Sequence, residues 1–198
     1  MGKTETELLS TPQRLSSFSE PLLALQRLIE RFHHRGVLIG GMAASLLGKP
    51  RLTADLDALF FVSTQELPVL LESAESEGFK PRIEQTLEFA QKNRVLLLTH
   101  TQSRINLDII LGALPFEEEV IQRSQVMKIG GIAIRVPTPE DLIILKAVAH
   151  RPQDLLDVRS ILDSHPETDK QRVRKWILEF AALLENPSLW EDMAELFE

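Results

Sequence analysis

The chain has 198 residues, 43% hydrophobic and 26% charged, with 22 Lys+Arg against 29 Asp+Glu for a net charge of −7; this is ordinary globular composition, at a length that suits one compact domain or one domain with a helical appendage. There is no cysteine, which excludes disulfides, thiolate metal centres and thiol catalysis, and no apolar run approaches the roughly 18 residues of a membrane span. The acidic balance argues against a surface that wraps a long stretch of nucleic acid, since phosphate neutralisation needs a basic excess, and with no apolar leader in MGKTETELLS the chain reads as a soluble cytoplasmic protein.

Residues 1–20 are polar without a sustained period and read as a flexible arm. From Pro21 the residues Leu22, Leu25, Ile29 and Phe32 recur at helical spacing, and Gly36 is the expected stop. The run Val37-Leu38-Ile39 predicts a strand, Gly40-Gly41 a turn, and Met42–Leu47 a short helix that ends at Gly48-Lys49-Pro50. Asp55–Val62 is a β-rich run. Thr64 is the expected cap of a helix to about Ser76, closed by Gly78. Arg94–Thr99 and Arg104–Leu111 read as two strands joined by a polar turn at His100–Ser103. Pro115–Arg123 is a short acidic helix, and Gln125–Ile129 with Ile132–Val136 makes a hairpin across Gly130-Gly131. Beyond Pro137 the pattern is helical throughout, starting at the cap Thr138-Pro139-Glu140-Asp141. The expected organisation is therefore a mixed α/β core over residues 21–137 and a helical C-terminal subdomain over 138–198.

Three carboxylates carry the chemistry. On a strand, Asp55 and Asp57 share one face while Leu56 points to the other, so the two charges repel unless a cation meets them. Hard oxygen donors suit Mg²⁺, which also binds phosphate. A bare Asp-x-Asp is more often simply a solvated strand end. Asp108 lies on a strand whose odd positions, Ile105, Leu107 and Ile109, are apolar, so Asn106 and Asp108 share the opposite face. Placed beside the Asp55–Asp57 strand it brings three carboxylates together; otherwise it is a surface Asp paired with an Arg. Gly40-Gly41, between a strand and a helix start, is either a tight turn or a place where phosphate approaches helix amides. The histidines read as surface residues.

In this order, Ile39-Gly40-Gly41-Met42-Ala43, Arg51-Leu52-Thr53-Ala54-Asp55-Leu56-Asp57 and Asn106-Leu107-Asp108 resemble the nucleotidyltransferase (polymerase-β-like) superfamily. The segments Thr138–Lys146 and Arg151–Val158 resemble its AbiEii/MenT-type, toxin-like branch. The resemblance spans about residues 36–165. It implies a nucleotidyltransferase-fold core and an enzyme that moves an NMP from an NTP, such as ATP, to an acceptor hydroxyl. Asp55, Asp57 and Asp108 are then catalytic and hold two Mg²⁺ ions, with Mn²⁺ as a substitute. Gly40 and Gly41 receive the phosphates, Lys146 contacts nucleotide phosphate or base, and Asp154 belongs to the nucleotide-binding helical motif. Many family members carry Ser or Thr directly after the diglycine, where Met42 stands here.

The acceptor is less defined. Residues 138–175 hold seven acidic and seven basic side chains, with Lys170, Arg172, Arg174 and Lys175 clustered, and residues 176–198 hold six acids and no Lys or Arg. Such asymmetry fits either a basic patch near a cleft or solvated helix faces. Three readings follow: transfer to an RNA, such as a tRNA end, in a toxin–antitoxin setting with an antitoxin partner; transfer to a protein or small molecule; or a nucleotide- or partner-binding module that has lost turnover.

Overall fold

The computed structural model describes residues 12–197, with side chains from residue 17 onward. Helix α1 (Pro12–Arg31) contains Pro21 rather than starting at it. Residues 12–20 are thus helical and not an arm, while residues 1–11 of the expected arm lie outside the described residues. Polar early turns show no apolar stripe, which is why periodicity misses them. Leu22, Leu25, Leu28, Ile29 and Phe32 are buried as their spacing predicts. His33 and His34, at φ of +53° and +59°, turn the chain out of the helix. Gly36 instead opens strand β1 (Gly36–Ile39), where an added Cβ would come within 2.8 Å of the Phe60 ring.

Helix α2 (Gly40–Leu47) follows β1 directly, and strand β2 (Leu56–Phe60) comes next. A 3₁₀ turn at Thr64–Glu66 leads into α3 (Leu67–Ser76). Its cap is Ser63, not Thr64: the Ser63 backbone N–H and hydroxyl both donate to Glu66 Oε2 at 2.9 Å. Strand β3 (Phe79–Pro81) and helix α4 (Thr86–Asn93) were not foreseen. Three residues are too few to show a period, and α4 buries only Thr86 and Ala90. Strands β4 (Val95–His100) and β5 (Asn106–Leu111), helix α5 (Pro115–Arg123), and the hairpin β6 (Gln125–Ile129) and β7 (Ile132–Val136) complete this part.

The five-stranded sheet runs β1-β2-β5-β4-β3. Only β2 and β5 pair in parallel; every other pair is antiparallel. Parallel neighbours far apart in sequence need a crossover, here the chain from α3 through β4. The fully buried Leu56, Phe60, Leu96, Leu98, Leu107 and Ile109 share one face and fix the register, because a one-residue slip would turn them to the other.

The chain divides into two compact units: Met1–Met42 with Arg51–Val136, and Ala43–Pro50 with Pro137–Glu198. One division falls after residue 136, and residues 43–50 group with the helices. In that second unit an added Cβ at Gly48 would meet Ser160 Oγ at 2.6 Å, and Lys49 pairs with Asp163 at 2.9 Å. Its helices are α6 (Pro139–Ala149), α7 (Pro152–Ser164), α8 (Lys170–Leu183) and the short α9 (Ser188–Glu191). The Thr138 side chain accepts from the Asp141 N–H, the expected cap of α6. Among the described residues no helix is long and apolar enough to cross a membrane.

Candidate active site

Asp57 is the one residue of β2 that is not buried, set between Leu56 and Ala58. Its register partners are Ile39 on β1 and Asp108 on β5. The parallel pairing therefore puts two carboxylates side by side on adjoining strands, about 4.8 Å apart along the hydrogen-bonding direction. Asp108 lies on the half-covered face of β5 with Asn106, as the alternation predicts. Asp55 sits in the exposed bend just before β2, not on the strand itself.

Burial, above all, pushes the Asp108 carboxyl above its ordinary 3.8; Arg82 opposes this, and the charges of Asp57 and Asp55 add to it. Asp108 also forms an ion pair with Arg82. Asp108 thus neighbours Asp57 in the sheet and also has the arginine partner of the alternative reading. Among the described residues no three His, Cys, Asp or Glu side chains are arranged to enclose a metal ion. The donor set nonetheless suits Mg²⁺, which is usually held by one or two carboxylates and completed by water and substrate phosphate rather than by an all-protein cage. Asp57 and Asp108 supply the two carboxylates, and the repulsion between them, which adds to the effect of burial on Asp108, is what a divalent charge relieves.

Gly40 joins β1 to α2 at φ +67°, and its place against Asp57 is too close for any side chain. An added Cβ there would overlap the Asp57 carboxylate and lie 2.6 Å from Asp57 Cβ. At Gly41 an added Cβ would sit 2.8 Å from Thr53 Oγ1 and 3.0 Å from Arg51 Nη2. The start of α2 is thus bordered by a carboxylate on one side and by a hydroxyl and a guanidinium on the other. Met42 is buried, so the hydroxyl that many family members place after the diglycine has no counterpart there. Thr53 brings a hydroxyl to Gly41 from the β2 side. Sequence reasoning missed Thr53, Arg51 and Arg82 as neighbours of the site. For the first two the signal was their nearness to Asp55; for Arg82 there was none, because β3 went unseen.

Lys146 and Asp154 meet each other in the helical unit. The Lys146 ammonium, 4% exposed, pairs with Asp154 at 2.8 Å and with Asp157 at 2.9 Å. Arg151 binds the same Asp154 carboxylate at 2.6 Å. Burial pushes Asp154 upward, but the hydrogen bonds and charges of Arg151 and Lys146 outweigh it and hold the carboxyl below its ordinary value. The ammonium expected to meet nucleotide is here bonded to two aspartates of its own chain.

The cluster at 170–175 is likewise spent locally: Arg172 pairs with the fully buried Asp141 at 2.7 Å, Lys170 donates to the Phe197 carbonyl, Lys175 faces Glu179, and Arg174 lies over Trp190. A further correction concerns His100. It is buried at the end of β4 rather than on a surface turn, its Nδ1 is 2.9 Å from Ser103 Oγ, and burial holds its pKa below 6.5.

The family described as nucleotidyl transferase AbiEii toxin, type IV TA system, matches residues 23–193. Comparison with curated proteins gives no sequence match. Among solved structures, the antibiotic-resistance factor ANT(2'')-Ia in complex with adenylyl-2''-tobramycin aligns at 16% identity over 87% of this chain and 99% of its own, with a TM-score of 0.56. The solution structure of the same factor aligns at 14% identity over 92% and 97%, with a TM-score of 0.54. An antigenic nucleotidyltransferase-like protein from Paracoccidioides brasiliensis aligns at 15% identity over 90% and 91%, with a TM-score of 0.52. At such identities the likeness is one of fold: a mixed α/β nucleotidyltransferase fold.

Proposed function

The chain belongs to the AbiEii nucleotidyl transferase family, and from that premise we propose that it is a metal-dependent enzyme that moves a nucleoside monophosphate from a triphosphate to a hydroxyl of an RNA, with a tRNA end as the acceptor. The observation that carries the reading is the direct register of Asp57 with Asp108, beside a glycine that leaves no room for a side chain at the start of α2. Such an arrangement gathers negative charge that a divalent cation would relieve, next to helix amides that suit phosphate.

In the reaction the acceptor oxygen attacks the α-phosphorus in line, the new phosphorus–oxygen bond forms, and the bond to the bridging oxygen of the β-phosphate breaks. Pyrophosphate leaves with that electron pair. Asp108, in register with Asp57, draws the acceptor proton. Gly40 and Gly41 let the phosphates reach the first turn of α2, with Thr53 and Arg51 beside them. Mg²⁺ held by Asp57 and Asp108, with Asp55 just before β2, would neutralise charge at the transferring phosphate and at the leaving group. Lys146 and Asp154, bonded to each other, stabilise the helical unit itself.

The physiological setting in this reading is a cytoplasmic toxin–antitoxin pair, with an antitoxin as protein partner. Incubating the protein with each α-labelled triphosphate, Mg²⁺ and total cellular RNA or protein tests it. Label on a small RNA supports the reading. Label on protein alone moves the acceptor to a polypeptide, and no label with any triphosphate refutes transfer.

A further inference from the structure

Arg82 has no part in the reaction as written above, yet it holds one of the carboxylates that reaction depends on. Its backbone N–H donates to the Leu97 carbonyl at 3.0 Å, and Leu97 is the register partner of Asp108 on β4. The residue is therefore anchored one strand away from Asp108, and its guanidinium reaches across to pair with Asp108 Oδ1. Both side chains stay partly open to solvent, at 26% and 34% exposure. Asp57, in register on the other side of Asp108, adds to the negative charge that the guanidinium answers.

A guanidinium in that position satisfies the same carboxylate that a divalent cation would bind. Its charge is permanent, so it cannot vacate Asp108 by losing a proton. It can only move, and moving costs little only where another anion receives it. A nucleoside triphosphate is such an anion, since arginine pairs with phosphate oxygens as readily as with a carboxylate.

We propose that Arg82 is a counter-ion latch on Asp108: it holds the carboxylate against a bare divalent cation and releases it when a nucleoside triphosphate enters and draws the guanidinium onto its phosphate oxygens. The inference rests on the transfer-site reading of the preceding subsection and deepens it into an order of loading. Cation and nucleotide then favour each other's binding, by one reciprocal factor. Arg82 is a positioning residue in this scheme, acting through Asp108 and the phosphates.

The test is Mn²⁺ binding to the full-length chain, followed by electron paramagnetic resonance with and without a non-hydrolysable triphosphate, in wild type, Arg82→Gln, Arg82→Lys and Asp108→Asn. Removing the latch should tighten binding of Mn²⁺ alone about five- to tenfold in Arg82→Gln, the range of a part-exposed charged pair. The gain in Mn²⁺ affinity on adding triphosphate should shrink by the same factor, while triphosphate affinity itself falls. Opposite signs for cation and nucleotide are not what a merely structural residue produces. Arg82→Lys, which keeps the charge but not the fork, should fall between. It carries the comparison if Arg82→Gln does not fold. Unchanged Mn²⁺ affinity in both Arg82 variants, with binding abolished in Asp108→Asn, would overturn the latch and leave the transfer site standing. No Mn²⁺ binding by wild type with triphosphate present would overturn the transfer-site reading and the latch with it.

Discussion

Replacing Gly40 by alanine perturbs the point where the fold and the candidate site are the same object. Two costs are separable there. The first is conformational: φ is +67°, and an L-residue in that region costs about 1 kcal/mol. The second is steric: the new Cβ would stand 2.5 Å from Asp57 Cγ and 2.6 Å from Asp57 Cβ. Asp57 has no easy retreat, because its strand is registered between β1 and β5. Relief of such a contact in a packed region costs about 1–3 kcal/mol, so Gly40→Ala should lose roughly 2–4 kcal/mol in all. Gly130→Ala is the control. Its φ is +53°, but an added Cβ meets nothing within 4 Å, so only the first cost, about 1 kcal/mol, applies. Urea unfolding of both variants, read as the shift in midpoint at constant slope, measures the difference. Equal losses in the two variants would refute the claim that Gly40 is glycine because of Asp57.

The helical unit gives two further tests. Lys146→Ala removes the buried ammonium shared by Asp154 and Asp157 and leaves Asp154 only its bonds to Arg151, so it should destabilise the protein by about 3 kcal/mol; a raised KM for triphosphate with unchanged unfolding would show instead that the ammonium serves nucleotide. The Asp154 carboxyl lies below its ordinary 3.8 in the folded protein. Its stabilising contribution is therefore complete above that value and lost as pH falls through it toward the lower folded value. Asp154→Asn should flatten the fall in stability with acid below the ordinary 3.8 of the carboxyl, and an unchanged acid profile would contradict the ion network.

The sheet strands that carry the site were legible because their signals are local and redundant. Ile105, Leu107 and Ile109 alternate against Asn106 and Asp108, and the buried run Val37-Leu38-Ile39 meets a diglycine. The hairpin at 125–136 was equally readable, its turn glycines taking φ of +53° and +87°. Helix α4 and strand β3 were not legible, being short and nearly without an apolar face. Losing β3 also hid Arg82, since only its backbone bond to Leu97 brings it to Asp108. The Gly36 and Ser63 misreadings share a cause. A glycine can mark close packing as well as a stop, and the Glu three residues after Ser63 completes the cap there. Lys146 shows the limit most plainly: its helical motif was visible, but that its charge is bonded to Asp154 and Asp157 depends on how α6 and α7 pack.

The central claim is that Asp57 and Asp108 form the centre of a nucleotidyl transfer site, and one paired-label assay tests it most directly. Wild type and Asp108→Asn, each shown to be folded by its melting curve, are incubated with Mg²⁺, cellular RNA and the same triphosphate labelled at either the α- or the γ-phosphate. The account predicts that wild type leaves the α-label on the acceptor and releases the γ-label as pyrophosphate, and that Asp108→Asn, with its fold intact, transfers neither. Transfer by Asp108→Asn at the wild-type rate, or γ-label on the acceptor, would contradict it.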